Sequence, residues 1–225
     1  MSHDSKPFTR EQFGAAQGMV LREGRWANAQ VVRATLDGTD WTVKDFGARA
    51  WWVRNLFGRW LLRRELRALR KLAGIEGVPA QAFRVDAFAI AARFVPGVTL
   101  DRAPREQMNE AFFLALEALF RAVHARGVVH LDSRGSSNLL ATPQGAPALI
   151  DFQAALRTAW LPPPLRRLLE RIDMGGVYKN WLRHAPASLD AERRAEYERS
   201  TRLRQLWIGR GYFGVRKKHN REAKP

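Results

Sequence analysis

The chain has 225 residues, 46% of them hydrophobic and 27% charged, which suits a globular protein with a real core. It has no cysteine, so disulfides and thiolate metal sites are excluded, and no uncharged apolar run approaches the ~18–20 residues that span a bilayer. The formal net charge is +16, and two segments, 54–71 and 154–225, carry all of it.

The polar residues 1–14 read as a loose start without an apolar signal core, so the expected location is cytoplasmic. Residues 31–34 and 41–44 read as strands joined by a turn at Asp37-Gly38. Residues 58–72 read as a helix stopped by Gly74, with Pro79 beyond it. Two short strands follow around Asp86. Residues 105–125 read as an amphipathic helix, with Met108, Phe112, Leu116, Leu119, Phe120 and Val123 at helical spacing. A hairpin turning at Pro143-Gln144-Gly145 comes next, and after Pro162-Pro163-Pro164 the chain reads as helical. A strand-rich half followed by a helical half gives an α+β layout in two lobes.

The chemistry concentrates in residues 127–140, G-V-V-H-L-D-S-R-G-S-S-N-L-L, and 148–153, A-L-I-D-F-Q. The first stretch sets His130, Asp132 and Asn138 in a turn after the long helix; the second ends an apolar strand on Asp151. Phosphoryl transfer from ATP uses such an inventory. One carboxylate orients the acceptor hydroxyl, a role that suits Asp132. A second carboxylate and an amide oxygen hold Mg²⁺ against the triphosphate, a role that suits Asp151 and Asn138. Glu65 adds a separate clue. It is the only acid in the helix 58–72, yet Leu61, Leu62, Ala68 and Leu69 are its neighbours one turn away. A carboxylate on an apolar stripe needs a tertiary partner. Lys44, at the end of the strand W-T-V-K, is the candidate.

These residues resemble the active-site motifs of the protein-kinase-like superfamily. His130-Leu131-Asp132 stands where H-R-D stands, and Asp151-Phe152-Gln153 stands where D-F-G stands. Asn138 precedes Asp151 by thirteen residues, a usual spacing for the family, but follows Asp132 by six where five is common. The resemblance covers about residues 19–155 and implies a two-lobed fold that binds ATP and Mg²⁺. It implies that Lys44 grips the α- and β-phosphates and that Glu65 holds Lys44. Arg134 lies at the offset of a lysine that neutralises the transferring phosphoryl group; the other reading is a solvated loop arginine. His130 is expected to pack beneath the loop. Leu131 replaces the arginine that reads an activation-loop phosphate, so that switch is not expected. Leu21 to Ala27 occupies the place of the glycine-rich nucleotide loop with a single glycine, Gly24. The implied units are an N-terminal lobe, 1–95, with the nucleotide-binding strands and one helix; a C-terminal lobe, 96–185, with the catalytic and metal loops; and a basic helical extension and tail, 186–225.

The acceptor is read from the segment after Asp151. No A-P-E motif appears, and residues 154–164 run directly toward a helix. That fits a small or non-peptide hydroxyl. The resemblance is then closest to small bacterial kinases of lipopolysaccharide core sugars, with RIO-type atypical serine/threonine protein kinases as the alternative. The confined charge points to an anionic partner: a glycolipid or sugar acceptor, an anionic membrane contacted peripherally at its cytoplasmic face, or nucleic acid; the other reading is a solvated basic face that aids solubility. Residues 51–62, W-W-V-R-N-L-F-G-R-W-L-L, and residues 160–172 mix aromatic residues and leucine with arginine, a composition of the membrane interface. The competing reading puts these tryptophans and leucines in the cores. A pseudokinase and a basic RNA-binding module, using Arg216, Lys217 and Lys218, complete the alternatives.

Overall fold

The computed structural model describes residues 6–24 and 28–206, so the tail at 215–219 lies outside the described residues. Helix α1 spans Arg10–Ala15, followed by strands β1 (Gly18–Arg22), β2 (Gln30–Leu36) and β3 (Thr39–Asp45). A π-helical turn, Val53–Gly58, runs into α2 (Arg59–Leu72). Then come β4 (Ala82–Arg84), β5 (Ala89–Arg93), β6 (Val98–Thr99), α3 (Glu110–Ala125) and β7 (Val128–Val129). The rest comprises β8 (Leu139–Ala141), β9 (Pro147–Leu149), β10 (Leu156–Arg157), α4 (Pro163–His184) and α5 (Ala191–Leu206).

The first part is an antiparallel five-stranded sheet in the order β1-β2-β3-β5-β4. Asp37 and Gly38, with φ of 49° and 69°, both take the positive φ that a tight right-twisting hairpin turn requires. Alternation then sorts β3. Trp41 and Val43 pack with Phe8, Phe83 and Ala91 on one face. Lys44 goes to the other face, where Phe46, Val53, Leu62, Leu66 and Ile90 join the sheet to α2.

The polar start is not loose over its described part. Thr9 and Gln12 form a reciprocal capping box on α1. Phe8 is buried in the sheet core, and Arg10 bridges Asp45 and Asp86, each at 2.5 Å. The expected helix 105–125 also divides. Arg105–Gln107 is a 3-10 turn, and α3 begins only after Asn109, whose side chain accepts the Phe112 N–H.

The second part is helical. Helix α3 packs on α4, α4 on α5, and the main core gathers Leu72, Phe112, Phe113, Leu116, Phe120, Leu139, Phe152, Val177 and Trp181. Phe113 and Trp181 stack at 5.4 Å. Two small sheets, β10-β7 and β6-β8-β9, carry the segments that reach the first part. The molecule is therefore α+β, with a sheet-rich part and a helical part.

Candidate active site

Lys44 and Glu65 are buried, at 7% and 4% exposure. The Lys44 ammonium lies 2.7 and 2.9 Å from the two Glu65 oxygens and 2.5 Å from Asp151 Oδ1. Burial alone would lower the lysine pKa, but the two carboxylates raise it above its ordinary value, so Lys44 stays charged. The residue next to Glu65 locks the geometry. Arg64 donates to the carbonyls of Ala155 and Ala154, at 2.7 and 2.5 Å, tying α2 to the segment after Asp151.

Asp151 sits in the left-handed region with φ of 63°, a conformation that costs a non-glycine residue about 1–3 kcal/mol. Phe152, fully buried beneath it and edge-on to His130 at 4.8 Å, holds that turn in place. Burial disfavours the Asp151 carboxylate, but Lys44 and Arg22 overcome this and hold its pKa down at about 2. Arg22 was not singled out by its sequence context. Its guanidinium lies 3.7 Å from Asp151 Oδ2 at the end of β1, just beyond a register shift in the β1–β2 ladder. A cation beside the lone Gly24 of a glycine-poor loop was the available signal.

Asn138 is buried, and its Nδ2 donates to Asp132 Oδ2 at 2.7 Å and to the Asp132 carbonyl at 3.2 Å. Its Oδ1 accepts from the Ser137 hydroxyl at 3.4 Å and keeps a second lone pair, and Asn138 lines the cavity. Asp132 is exposed; it does not itself line the cavity and is joined to it through Asn138. Desolvation by its surroundings raises its pKa above the usual carboxylate value, with Asp151 and Asp173 adding like charge and Asn138 and His130 opposing. His130 packs beneath the loop, fully buried, with Nε2 at 3.0 Å from the Ile150 carbonyl. Leu131 also takes a positive φ, 63°, and packs against the Val129, Leu161 and Leu169 cluster.

The residue that holds this loop is Asp173 on α4, which no sequence motif marks. Fully buried, it accepts the backbone N–H of His130 at 2.5 Å and of Leu131 at 2.7 Å, and contacts His124 Nε2 at 3.1 Å. Of its neighbours one turn away, Leu169, Gly176 and Val177 are uncharged but Glu170 is not, so the apolar flanking that marked Glu65 is only partial here. Farther along α4, Asn180 donates to the Ser133 carbonyl at 3.2 Å, and Lys179 donates to the Arg134 carbonyl at 3.1 Å. Gly176 permits this contact, since a Cβ there would lie 2.9 Å from the Ser133 carbonyl carbon. Arg134 turns toward α4: its Nη1 lies 3.8 Å from where a Cβ on Gly175 would sit, and it does not line the cavity.

A cavity of about 420 Å³ unites Arg22, Lys44, Glu65, Asn138 and Asp151 with apolar walls from Val31, Ile90 and Leu140. Gly24 lies so close to the residues just before β2 that a Cβ would stand 2.7 Å from the Ala29 carbonyl carbon. Arg25, Trp26 and Ala27 of the expected nucleotide loop lie outside the described residues. Among the described residues no three carboxylate, histidine or cysteine side chains cluster as a ready metal centre. Asp151 and Asn138 nonetheless offer two hard oxygen donors, one firmly ionised, next to a cavity with room for more ligands. That donor set fits a cation such as Mg²⁺, which keeps few protein ligands and shares substrate phosphates. No family model matches this chain, and no curated protein matches it.

Proposed function

We propose that the protein is an ATP- and Mg²⁺-dependent phosphotransferase of the protein-kinase-like, two-lobed kind. Its acceptor is a hydroxyl on a lipid-linked sugar, as in lipopolysaccharide core, at the cytoplasmic membrane face. The observation that carries this reading is Lys44 held between Glu65 and Asp151, at 2.7 and 2.5 Å, with Asn138 joined to Asp132 at 2.7 Å beside them. Residues remote in the chain converge on one cavity with the charges that phosphoryl transfer requires.

In this reading Lys44 binds the α- and β-phosphates, and Glu65 prevents its side chain from swinging away. Asp151 and Asn138 would hold Mg²⁺, which would supply charge neutralisation of the triphosphate. Asp132 would orient the acceptor hydroxyl and take its proton as the oxygen bonds to the γ-phosphorus of ATP, whose bond to the β–γ bridging oxygen breaks so that ADP leaves. Arg134 no longer serves as a phosphoryl-neutralising group, since it turns toward α4; Arg22 is the nearer cation to Asp151. Only residues 152–162 separate Asp151 from α4, which leaves little chain for a peptide-docking segment and favours a non-peptide acceptor. No helix among the described residues is long and apolar enough to cross a membrane.

Calorimetry with ATP, with and without Mg²⁺, tests the nucleotide half. Labelled ATP offered with lipid, glycan, protein and RNA fractions tests the acceptor half. Equal ATP affinity without Mg²⁺ would count against metal binding. Transfer into protein alone would favour an atypical protein kinase, and binding without transfer a pseudokinase.

A further inference from the structure

We infer that the exposed aromatic face of residues 51–60, together with Trp160, is a docking surface for an anionic lipid bilayer. The expectation that these side chains fill the core fails for Trp51, Leu56, Phe57, Trp60 and Trp160, which are 53–72% exposed. The local fold concentrates them. In an ordinary α-helix, residues five apart point to different sides, but the π-helical turn Val53–Gly58 sets Trp52 beside Phe57, with ring centres 6.5 Å apart. Trp60 follows one turn later, with the Arg64 guanidinium 5.2 Å from its ring centre. Trp60 and Trp160 then share a groove of about 340 Å³ with Arg63, Arg67 and Arg157. The opposite side of the helix is anchored by buried Val53 and Leu62, so the aromatic side is held outward.

The chemistry selects the occupant. Tryptophan, phenylalanine and leucine beside arginine suit the depth where acyl chains meet headgroups. The only acid within 51–72 is Glu65, which is buried on Lys44, so no carboxylate of that stretch neutralises these arginines. A second copy docking on the same patch would bring like charges together. RNA would find rings to stack on but no use for Leu56. A bilayer with anionic headgroups satisfies both the apolar side chains and the cations. The surface deepens the acceptor half of the proposed function and rests on it. The docking helix also carries Glu65, and Arg64 binds the segment after Asp151, so the lipid surface is tied directly to the elements that carry the cavity's charged groups.

The test is co-sedimentation of the full chain with vesicles of phosphatidylcholine alone and with about a third phosphatidylglycerol, with tryptophan emission as a second readout. The expected result is binding to the anionic vesicles with blue-shifted emission. Replacing Trp51, Leu56 and Trp160 together by alanine should weaken binding by about tenfold or more. The pair Arg63→Glu and Arg67→Glu should remove the preference for phosphatidylglycerol. Both variants should melt like the parent and keep its Mg²⁺-ATP affinity, so a failed surface is distinguishable from a failed nucleotide site. The proposal is overturned if the parent ignores anionic vesicles or if both variants bind as the parent does. It is equally overturned if the two variants lose binding to single-stranded RNA, or lose self-association in sedimentation velocity, while no form binds vesicles.

Discussion

The floor and the roof of the cavity are built on opposite principles. The floor, Asn138 and Asp151 with the loop 128–137 that leads into them, is tied down by buried groups: Asp173 holds the His130 and Leu131 amides, Asn180 the Ser133 carbonyl, and Asn138 the Asp132 carboxylate. The roof, β1, is exposed along its whole length, paired only with β2, and reaches the site through Arg22 at 3.7 Å from Asp151. Positive φ at Leu131 and Asp151 belongs to the floor, where surrounding contacts can hold it. Groups that must be placed to a fraction of an ångström sit where the fold over-determines them. The edge strand is exposed and held by its ladder to β2, so it is the less constrained wall of the cavity.

Breaking the floor should have the largest effect. Asp173→Ala leaves two buried amide N–H groups without their acceptor, so it should cost about 3–5 kcal/mol in denaturant unfolding. A loss below about 1 kcal/mol would show that the floor is not held as described. Next comes Asp132→Asn. Turnover should fall by about two orders of magnitude or more while Mg²⁺-ATP affinity is kept. The folded pKa of Asp132 is raised, so its ionised form is disfavoured in the fold. The variant should therefore be as stable as the parent at neutral pH, or slightly more so, and undiminished transfer would sink the assignment.

Asp151 has the opposite sign. Its folded pKa of about 2 lies below the ordinary 3.8, so its stabilisation is fully present above about pH 4 and is lost as pH falls toward 2. Asp151→Asn should flatten the stability–pH curve across that window by roughly 2 kcal/mol. Acid titrations of parent and variant that coincide would contradict the Lys44 pairing. The smallest effect belongs to the roof. Arg22→Ala should weaken Mg²⁺-ATP binding by about fivefold and leave the thermal midpoint within a degree or two, since the side chain is half exposed. A large loss of stability would mean that the roof is as tightly built as the floor.

Much of this arrangement is legible in residue order where the forces are local. The hairpin at Asp37-Gly38, the helix ending before Gly74 and the hairpin beyond Leu140 follow from turn chemistry and from periods of two and 3.6. Glu65 was legible for another reason: a carboxylate among leucines is a local contradiction that only a distant partner resolves. A weaker form of that contradiction at Asp173 is masked in the sequence, because Glu170, one turn before it, and Arg171 make the stretch look like solvated helix. Composition did not tell which tryptophans are core. Trp41 and Trp181 are buried, and Trp51, Trp60 and Trp160 are not. A side chain's surroundings are set by whichever element packs over it, and that element is often far away in the chain. Lys44 meets Asp151 across 107 residues, so that contact depends on how the sheet and the helical part come together. Residue types and spacing therefore fix the strands, turns and helices and the inventory of charged groups. Which of those groups face one another, at which pKa, is decided by burial, because an ionised group in a buried site persists only where the fold supplies its counter-charge.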